Sequence, residues 1–274
     1  MKSSRIHKIT LAAAACLATA LAGTTATAAP DSGDGSVPSF QEFEASTYVD
    51  TDGQYIVNGD EPESTKGSLR QFYDRLVGDR GSTHEDGLVV NTVSGRDDKW
   101  SATQALNLTY CVSTRFGSRH SSVVSAMAGG AALWEGATSR VNFTYVPAQD
   151  GSCNTRNSSV LFSVEPVSTT QYIARAFFPS TSKRSRNVLI DDSIWTSGNW
   201  EPVDILAHEL GHTLGFRHEH TRPEAGTCFE DNSWRPLTAY DAASIMHYPQ
   251  CNGSSDDLEF QASDAAGVRA LYGS

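Results

Sequence analysis

Thirteen consecutive residues carry the most chemistry in this sequence: Ala207-His208-Glu209-Leu210-Gly211-His212-Thr213-Leu214-Gly215-Phe216-Arg217-His218-Glu219. They read His-Glu-x-x-His-x-x-Gly-x-x-His. On a helix, His208 and His212 are four apart and project from one side. Two imidazoles so placed can share one metal ion at ~2.0–2.1 Å. Glu209 lies about 100° round from His208 and therefore about 60° from His212. Its carboxylate flanks the ion, where a general base for a metal-activated water must sit. Gly215 permits the left-handed turn that ends a helix, so the chain can swing back and offer His218 as a third ligand. Three protein nitrogens leave one position open to water, the pattern of a catalytic zinc site rather than a structural one. By chance, the full motif is expected in a chain of this length on the order of once in 10⁵.

Two further stretches bear on the same chemistry. Ser244-Ile245-Met246-His247-Tyr248-Pro249 follows a loop-like region. Met246 would give three metal-bound imidazoles an apolar, polarizable floor, and Tyr248 could bring its phenol to the metal or to a tetrahedral intermediate. His220 and His247 are read as neighbours of the site rather than ligands. Upstream, Asn58-Gly59-Asp60 is a turn, and its aspartate could place a carboxylate on the metal and hold the enzyme latent.

Elements must position these residues. Leu206, Leu210 and Leu214 form an i, i+4 stripe that would bury the far side of the histidine helix, which begins near Glu201-Pro202 with proline in its first turn. Ala105 to Val112 alternates and reads as a strand. Ser121 to Gly136 has helical apolar spacing, weakened by Gly129-Gly130 at roughly 1 kcal/mol per glycine. Strands are expected at Val141–Val146, Val160–Val164, Tyr172–Phe178 and Asn187–Ile190. Pro179 suits an edge strand for Tyr172–Phe178, and such an edge could pair with an extended peptide drawn past the metal. Ser263 to Gly273 reads as a capped C-terminal helix.

The N-terminus has a basic start (Lys2, Arg5, Lys8), an apolar run and a small-residue site ending at Ala28. This is the pattern of a secretory signal peptide over residues 1–28, and it places the product outside the cell. Without it the chain carries 18 Lys+Arg against 32 Asp+Glu, net −14. That balance argues against nucleic acid and anionic membranes as partners. Cys111, Cys153, Cys228 and Cys251 then suggest two disulfides in an oxidising compartment, with three pairings open. Cys111–Cys153 with Cys228–Cys251 is preferred, because each bond then staples one half of the domain. Residues 29–95 differ from the rest: between Ala29 and Asp86 there are 13 acidic and 4 basic residues. The segment holds one short amphipathic helix, Ser68 to Leu76, and too little apolar sequence for a core of its own. It reads as a pro-segment lying on a catalytic domain of residues 96–274. The activating cut is expected between about residues 80 and 100, in exposed polar chain.

Together these motifs resemble the metzincin zinc metallopeptidases, and most of all the astacin-like branch with its bacterial His-Glu-x-Gly-His relatives. The resemblance runs from about Trp100 to the C-terminus. It implies an α+β, two-lobed peptidase domain. The upper lobe would hold a five-stranded mixed sheet and two long helices, the irregular lower lobe a C-terminal helix. It implies that His208, His212 and His218 bind Zn²⁺, that Glu209 is the general base, that Met246 makes the Met-turn and that Tyr248 is a switchable fifth ligand. Glu219 corresponds to the glutamate that meets the mature N-terminus in astacins. Val57-Asn58-Gly59-Asp60 is similar to the Phe-x-Gly-Asp pro-segment motif, with Val57 in place of the phenylalanine. The expectation is a secreted, monomeric zinc endopeptidase, made latent and acting on extended peptides or proteins. Two other readings stand beside it: a non-catalytic binding protein on a peptidase scaffold, and a zinc amidase or deacetylase.

Overall fold

The computed structural model describes residues 37–78 and 88–274. The leader expected over residues 1–28 lies outside the described residues, as do residues 79–87, where part of the expected activation region falls.

The N-terminal segment opens on α1 (Phe40–Ser46), capped by a reciprocal Ser39/Glu42 box. Strands β1 (Tyr48–Val49), β2 (Tyr55–Val57) and β3 (Glu61–Glu63) form a small antiparallel sheet. Helix α2 spans Lys66–Gly78, longer at both ends than Ser68 to Leu76. The expectation that this segment buries no core of its own is corrected. Phe40 and Phe43 of α1 meet Leu69 and Phe72 of α2 over Val57, and all five are buried. Leu69 and Phe72 are three apart, so they share the face of α2 that turns toward α1.

A hairpin follows, β4 (Val89–Val93) and β5 (Arg96–Asp97). Ser94 and Gly95 turn it with φ of 53° and 72°, the positive values a tight hairpin turn demands. Then come α3 (Ala102–Ala105), β6 (Leu108–Val112), α4 (His120–Ala137), β7 (Phe143–Tyr145), β8 (Phe162–Val167), β9 (Ala174–Arg175), β10 (Asn187–Asp191) and α5 (Pro202–Leu214). The order strand, helix, four strands, helix is as the sequence suggests. Two elements differ from expectation. Ala105 belongs to α3, whose N-cap Ser101 pairs with Gln104, so β6 starts only at Leu108. The strand expected at Tyr172–Phe178 is two residues long, because Ala176 and Phe177 leave the ladder to bury in the core.

The sheet order is β7-β6-β8-β10-β9. Its first four strands are parallel, and β9 is antiparallel at one edge. Val188 and Ile190 of β10 join α4 and α5 in the main core, while Leu189 faces the opposite side. Gly129 and Gly130 find their reason here. A Cβ on Gly130 would stand 2.8 Å from the backbone nitrogen of Ala207; the glycines let α4 and α5 cross in near-backbone contact.

Beyond α5 the lower lobe is mostly turns, with β11 (Trp234–Pro236) and the C-terminal α6 (Ala262–Tyr272). Strand β4, on the N-terminal side of residue 95, is hydrogen-bonded into this lobe. It pairs with β11, and its Val89 carbonyl accepts from the Arg217 N–H at 3.0 Å. Disulfides join Cys111 to Cys153 and Cys228 to Cys251. Among the described residues no helix is long and apolar enough to cross a membrane.

Candidate metal centre

Helix α5 buries Leu206, Leu210 and Leu214 completely and turns His208 and His212 the other way. It ends at Gly215, whose φ of 102° makes the left-handed cap. No side chain fits there, since a Cβ would lie 2.1 Å from the Asp98 carbonyl. The chain reverses and delivers His218 to the same point. The three rings stand 4.8–5.2 Å apart, centroid to centroid.

Each ring is held from behind. His208 Nδ1 meets the Ile245 carbonyl at 2.7 Å, His212 Nδ1 the Phe216 carbonyl at 2.8 Å, and His218 Nδ1 the Glu230 Oε1 at 2.6 Å. A carbonyl or carboxylate accepts only from N–H, so each Nε2 is left deprotonated and aimed inward. All three Nε2 atoms are buried without a hydrogen-bond partner. Buried imidazole nitrogens are rarely left so; three converging on one point suit a divalent cation, and zinc accepts this donor set.

Asp60 enters this space from the N-terminal segment. Its Oδ1 lies 3.4 Å from His212 Nε2 and 3.2 Å from His218 Nε2, its Oδ2 3.3 Å from His208 Nε2. Tyr248 donates its phenol O–H to Oδ2 at 2.5 Å. The four potential ligand atoms of Asp60 and the histidines lie within 4.8 Å of one another. Gly59 makes the approach possible: its φ is 97°, and a Cβ there would crowd the Tyr248 phenol at 3.1 Å. Burial would raise the Asp60 carboxyl, but charge on His218 and His212 outweighs it and holds the group well below the usual range. With His218 Nδ1 already committed to Glu230, that charge would have to be a second proton on Nε2. A dication held by the three histidines would supply it instead.

Glu209 is 2% exposed, and its Oε2 has no partner. Burial, then the Asp60 charge, push its carboxyl well above the ordinary range, toward the region useful to a general base. Met246 lies beneath the helix. A Cβ on Gly211 would meet its Sδ at 2.4 Å, so the glycine makes room for the sulfur. Asp264 braces the turn by accepting from Ser244 Oγ at 2.5 Å and the Ile245 N–H at 3.0 Å. Glu219 is buried; its Oε1 accepts from the Asp241 N–H at 3.1 Å and from Arg222 Nη1 at 3.3 Å, while Oε2 has no hydrogen-bond partner.

Sequence reasoning missed the network behind His218. Glu230 also accepts from Arg217 Nη2 at 2.9 Å, and Asp231 takes Nη1 at 2.7 Å. Burial opposes ionisation of Glu230, but His218 and Arg217 hold it well below the usual range. Only Arg217 could have been suspected, as a charge inside an otherwise buried motif. Glu230 and Asp231 sit in a loop, beside Cys228, with no periodicity to mark them.

A five-stranded mixed sheet over two helices, three converging imidazoles, a carboxylate on the same helix and a methionine below define the class: a zinc metallopeptidase of the metzincin type. Residues 99–225 match the peptidase family model described as Peptidase_M10: Matrixin, and the three converging histidine nitrogens suit the zinc of that class. An astacin-like metalloprotease toxin 2 of Loxosceles intermedia is 35% identical over 78 residues, covering 22% of this chain and 30% of the toxin. Zinc metalloproteinase nas-30 of Caenorhabditis elegans is 39% identical over 67 residues, covering 18% of this chain and 9% of its own. A hatching enzyme of Paracentrotus lividus is 30% identical over 106 residues, covering 37% and 14%. The chain thus spans less than a third of the length of each of these relatives. A solved structure, that of myroilysin, aligns with a TM-score of 0.47 at 17% identity, over 67% of this chain and 98% of that one.

Proposed function

We propose that the chain is an exported zinc endopeptidase, made latent by its N-terminal segment and hydrolysing extended polypeptides once that segment is removed. One observation carries the reading: three buried, unpartnered imidazole nitrogens converge beside Glu209. His208, His212 and His218 would hold the zinc, which when bound polarises the scissile carbonyl and lowers the pKa of water toward ~7. Glu209 takes the proton of the attacking water and passes it to the leaving amine. Tyr248 donates its phenol proton to Asp60 in the latent form; with Asp60 gone, that donor turns to the developing oxyanion. β9 is the edge strand of the sheet, where an extended peptide would add once the segment leaves. Beside it, Tyr172, Ala174, Ile205, Trp200 and Leu258 line a cavity shared with Glu209, which would take a substrate side chain.

Asp60 supports latency because it stands where water and substrate must come. Glu219 pairs with Arg222 through Oε1 alone, and its Oε2 is left as an acceptor that a new α-amino group could use, which supports maturation. β4 is woven into the lower lobe, so a cut upstream of Leu88 keeps that strand in the mature enzyme. Export rests on the leader and the two disulfides. A binding protein on the same scaffold has no need of Glu209, and an amidase or deacetylase has no need of the β9 edge.

The test is the mature form on casein, with and without chelator, beside Glu209→Ala. Wild type should cleave and stop on chelation. Glu209→Ala should retain stoichiometric zinc and lose about 10²–10⁴ in rate. A zinc-loaded Glu209→Ala that cleaves at the wild-type rate sinks the role given to Glu209; an inert wild type sinks the peptidase reading.

A further inference from the structure

Among the histidines that crowd the metal centre, His220 is buried yet aims no free nitrogen at it. It lies in the short turn Glu219–Thr221, just beyond His218. Its Nδ1 accepts the backbone N–H of Tyr248 at 3.2 Å. An N–H can only donate, so in the neutral ring the proton sits on Nε2, which faces Glu230 Oε1 at 3.4 Å. The same oxygen receives His218 Nδ1 at 2.6 Å. The rings follow these bonds. His220 lies near-parallel to His218, at 4.7 Å and 15°, and to Tyr248, at 4.9 Å and 29°. His208, His212 and His218, by contrast, each turn a partnerless Nε2 to one point.

Tyr248 is the side chain of the site that has to change partner. In the precursor its phenol rests on Asp60, and in the mature enzyme it has to reach the developing oxyanion. Where the phenol oxygen can go is set by the place of the Tyr248 backbone and by two side-chain torsions. That backbone is gripped on both sides. The carbonyl accepts from His247 Nδ1 at 3.0 Å and from the Cys251 N–H at 3.0 Å. His247 is steadied in turn by Tyr240, whose O–H meets its Nε2 at 2.9 Å. The N–H goes to His220. A separate tie, the Cys228–Cys251 disulfide, fastens the loop of Glu230 to that of Tyr248. His220 is therefore not needed to keep the two loops together. Its bonds refer the backbone of Tyr248 and the ring of His218 to one carboxylate oxygen.

We propose that His220 is a positioning residue for the hydrolysis: by holding the Tyr248 N–H against Glu230, it fixes the pivot from which the phenol reaches the oxyanion. The inference rests on the peptidase reading above and on the part given there to Tyr248. His220 touches neither metal nor substrate and works through the tyrosine. A pivot about 1 Å out of place costs on the order of 10²-fold in rate. That cost falls on the transition state, so kcat carries it and KM does not.

The experiment uses mature enzyme obtained from the whole precursor, with His220→Ala, His220→Asn and His220→Gln each made in the wild-type chain and beside Tyr248→Phe. In the wild-type chain, His220→Ala should lose about 10–100-fold in kcat with KM unchanged. His220→Asn, whose Oδ1 stands where Nδ1 stood, should recover most of that; His220→Gln, which reaches only toward Glu230, should not. Beside Tyr248→Phe, itself slow, none of the three should cost anything more. Zinc affinity in a chelator competition should not show the loss of about 10–100-fold expected when a ligand's own orienting partner is removed. An equal loss of kcat in both backgrounds overturns the proposal. So does a loss that follows zinc affinity, a His220→Gln enzyme faster than His220→Asn, or a His220→Ala enzyme as fast as wild type. If His220→Ala gives no soluble enzyme, the Asn and Gln variants decide alone; insolubility of all three overturns the proposal, since the disulfide and the His247 contact would then not suffice to hold the loops. Tyr248→Phe that cleaves at the wild-type rate removes the part given to Tyr248, and the assignment of His220 with it. Wild-type enzyme that cleaves nothing removes the peptidase reading itself.

Discussion

Replacing Asp60 by alanine should separate docking of the N-terminal segment from latency. The carboxylate is 3% exposed and lies 3.2–3.4 Å from all three imidazole Nε2 atoms, with the Tyr248 phenol against it. Deleting one member of a buried, paired set of charges costs about 3–5 kcal/mol. The other anchors are untouched. Arg175 keeps Asp50 and Asp52, Arg217 keeps Glu61 at 3.6 Å, Arg75 keeps Asp231 at 3.4 Å, and Ile56 stays packed on Tyr172 and Leu189. The Asp60→Ala precursor should therefore fold and keep its segment, but hold the metal site closed far less firmly. At 1.4 kcal/mol per decade, the loss corresponds to a gain on the order of 10²–10³ in activity of the intact precursor. Mature forms of variant and wild type should be indistinguishable, because neither contains residue 60. The assay is chelator-sensitive hydrolysis of a quenched peptide by unprocessed precursor, with mass spectrometry before and after to exclude self-cleavage. An Asp60→Ala precursor as silent as wild type would refute the reasoning; the block would then lie in the Arg175 contacts or in simple occlusion of the cleft.

Three further outcomes are expected. Glu230→Gln removes the carboxylate that orients His218 at 2.6 Å and should weaken zinc binding about 10–100-fold in a chelator competition; unchanged affinity in a folded variant would strip Glu230 of that role. Gly211→Ala puts a Cβ 2.4 Å from Met246 Sδ and 3.0 Å from Trp134, an overpacking worth about 1–3 kcal/mol, so the melting temperature should fall by roughly 2–12 °C; an unshifted transition would show that Met246 does not hold the position described. Asp204, near the start of α5, has its carboxyl pushed up to about 6 by burial and by the charges of Glu259, Glu201 and Asp257. A raised carboxyl favours the fold fully below its unfolded pKa of 3.8, and that contribution is lost as pH rises through 6. Asp204→Asn should therefore melt higher than wild type at pH 7–8, with the advantage vanishing toward pH 4; a constant difference across that range would contradict the assignment.

The parts legible in the sequence were those with a local period or a fixed offset. His208 and His212 share a helix face because four residues nearly close a turn, and the stripe of Leu206, Leu210 and Leu214 says which face is buried. Gly215 announces the reversal that brings in His218. The strand and helix order followed from alternation and spacing alone. What stayed hidden was set by partners distant in sequence. Gly129-Gly130 looks like a flaw in α4 until α5 is laid across it. The Tyr172–Phe178 run alternates well enough for a full strand, yet Phe177 gains more from the core than from the ladder, and only Ala174–Arg175 remain paired. The apolar residues of the N-terminal segment are too few for a domain, but four side chains from two helices and Val57 of β2 suffice for a satellite cluster. Glu230 and Asp231 sit in a turn-rich stretch, where acidic residues are ordinarily solvated; nothing before the fold is known tells them from the acidic residues around them. Their burial against Arg217 and His218 is what the fold adds.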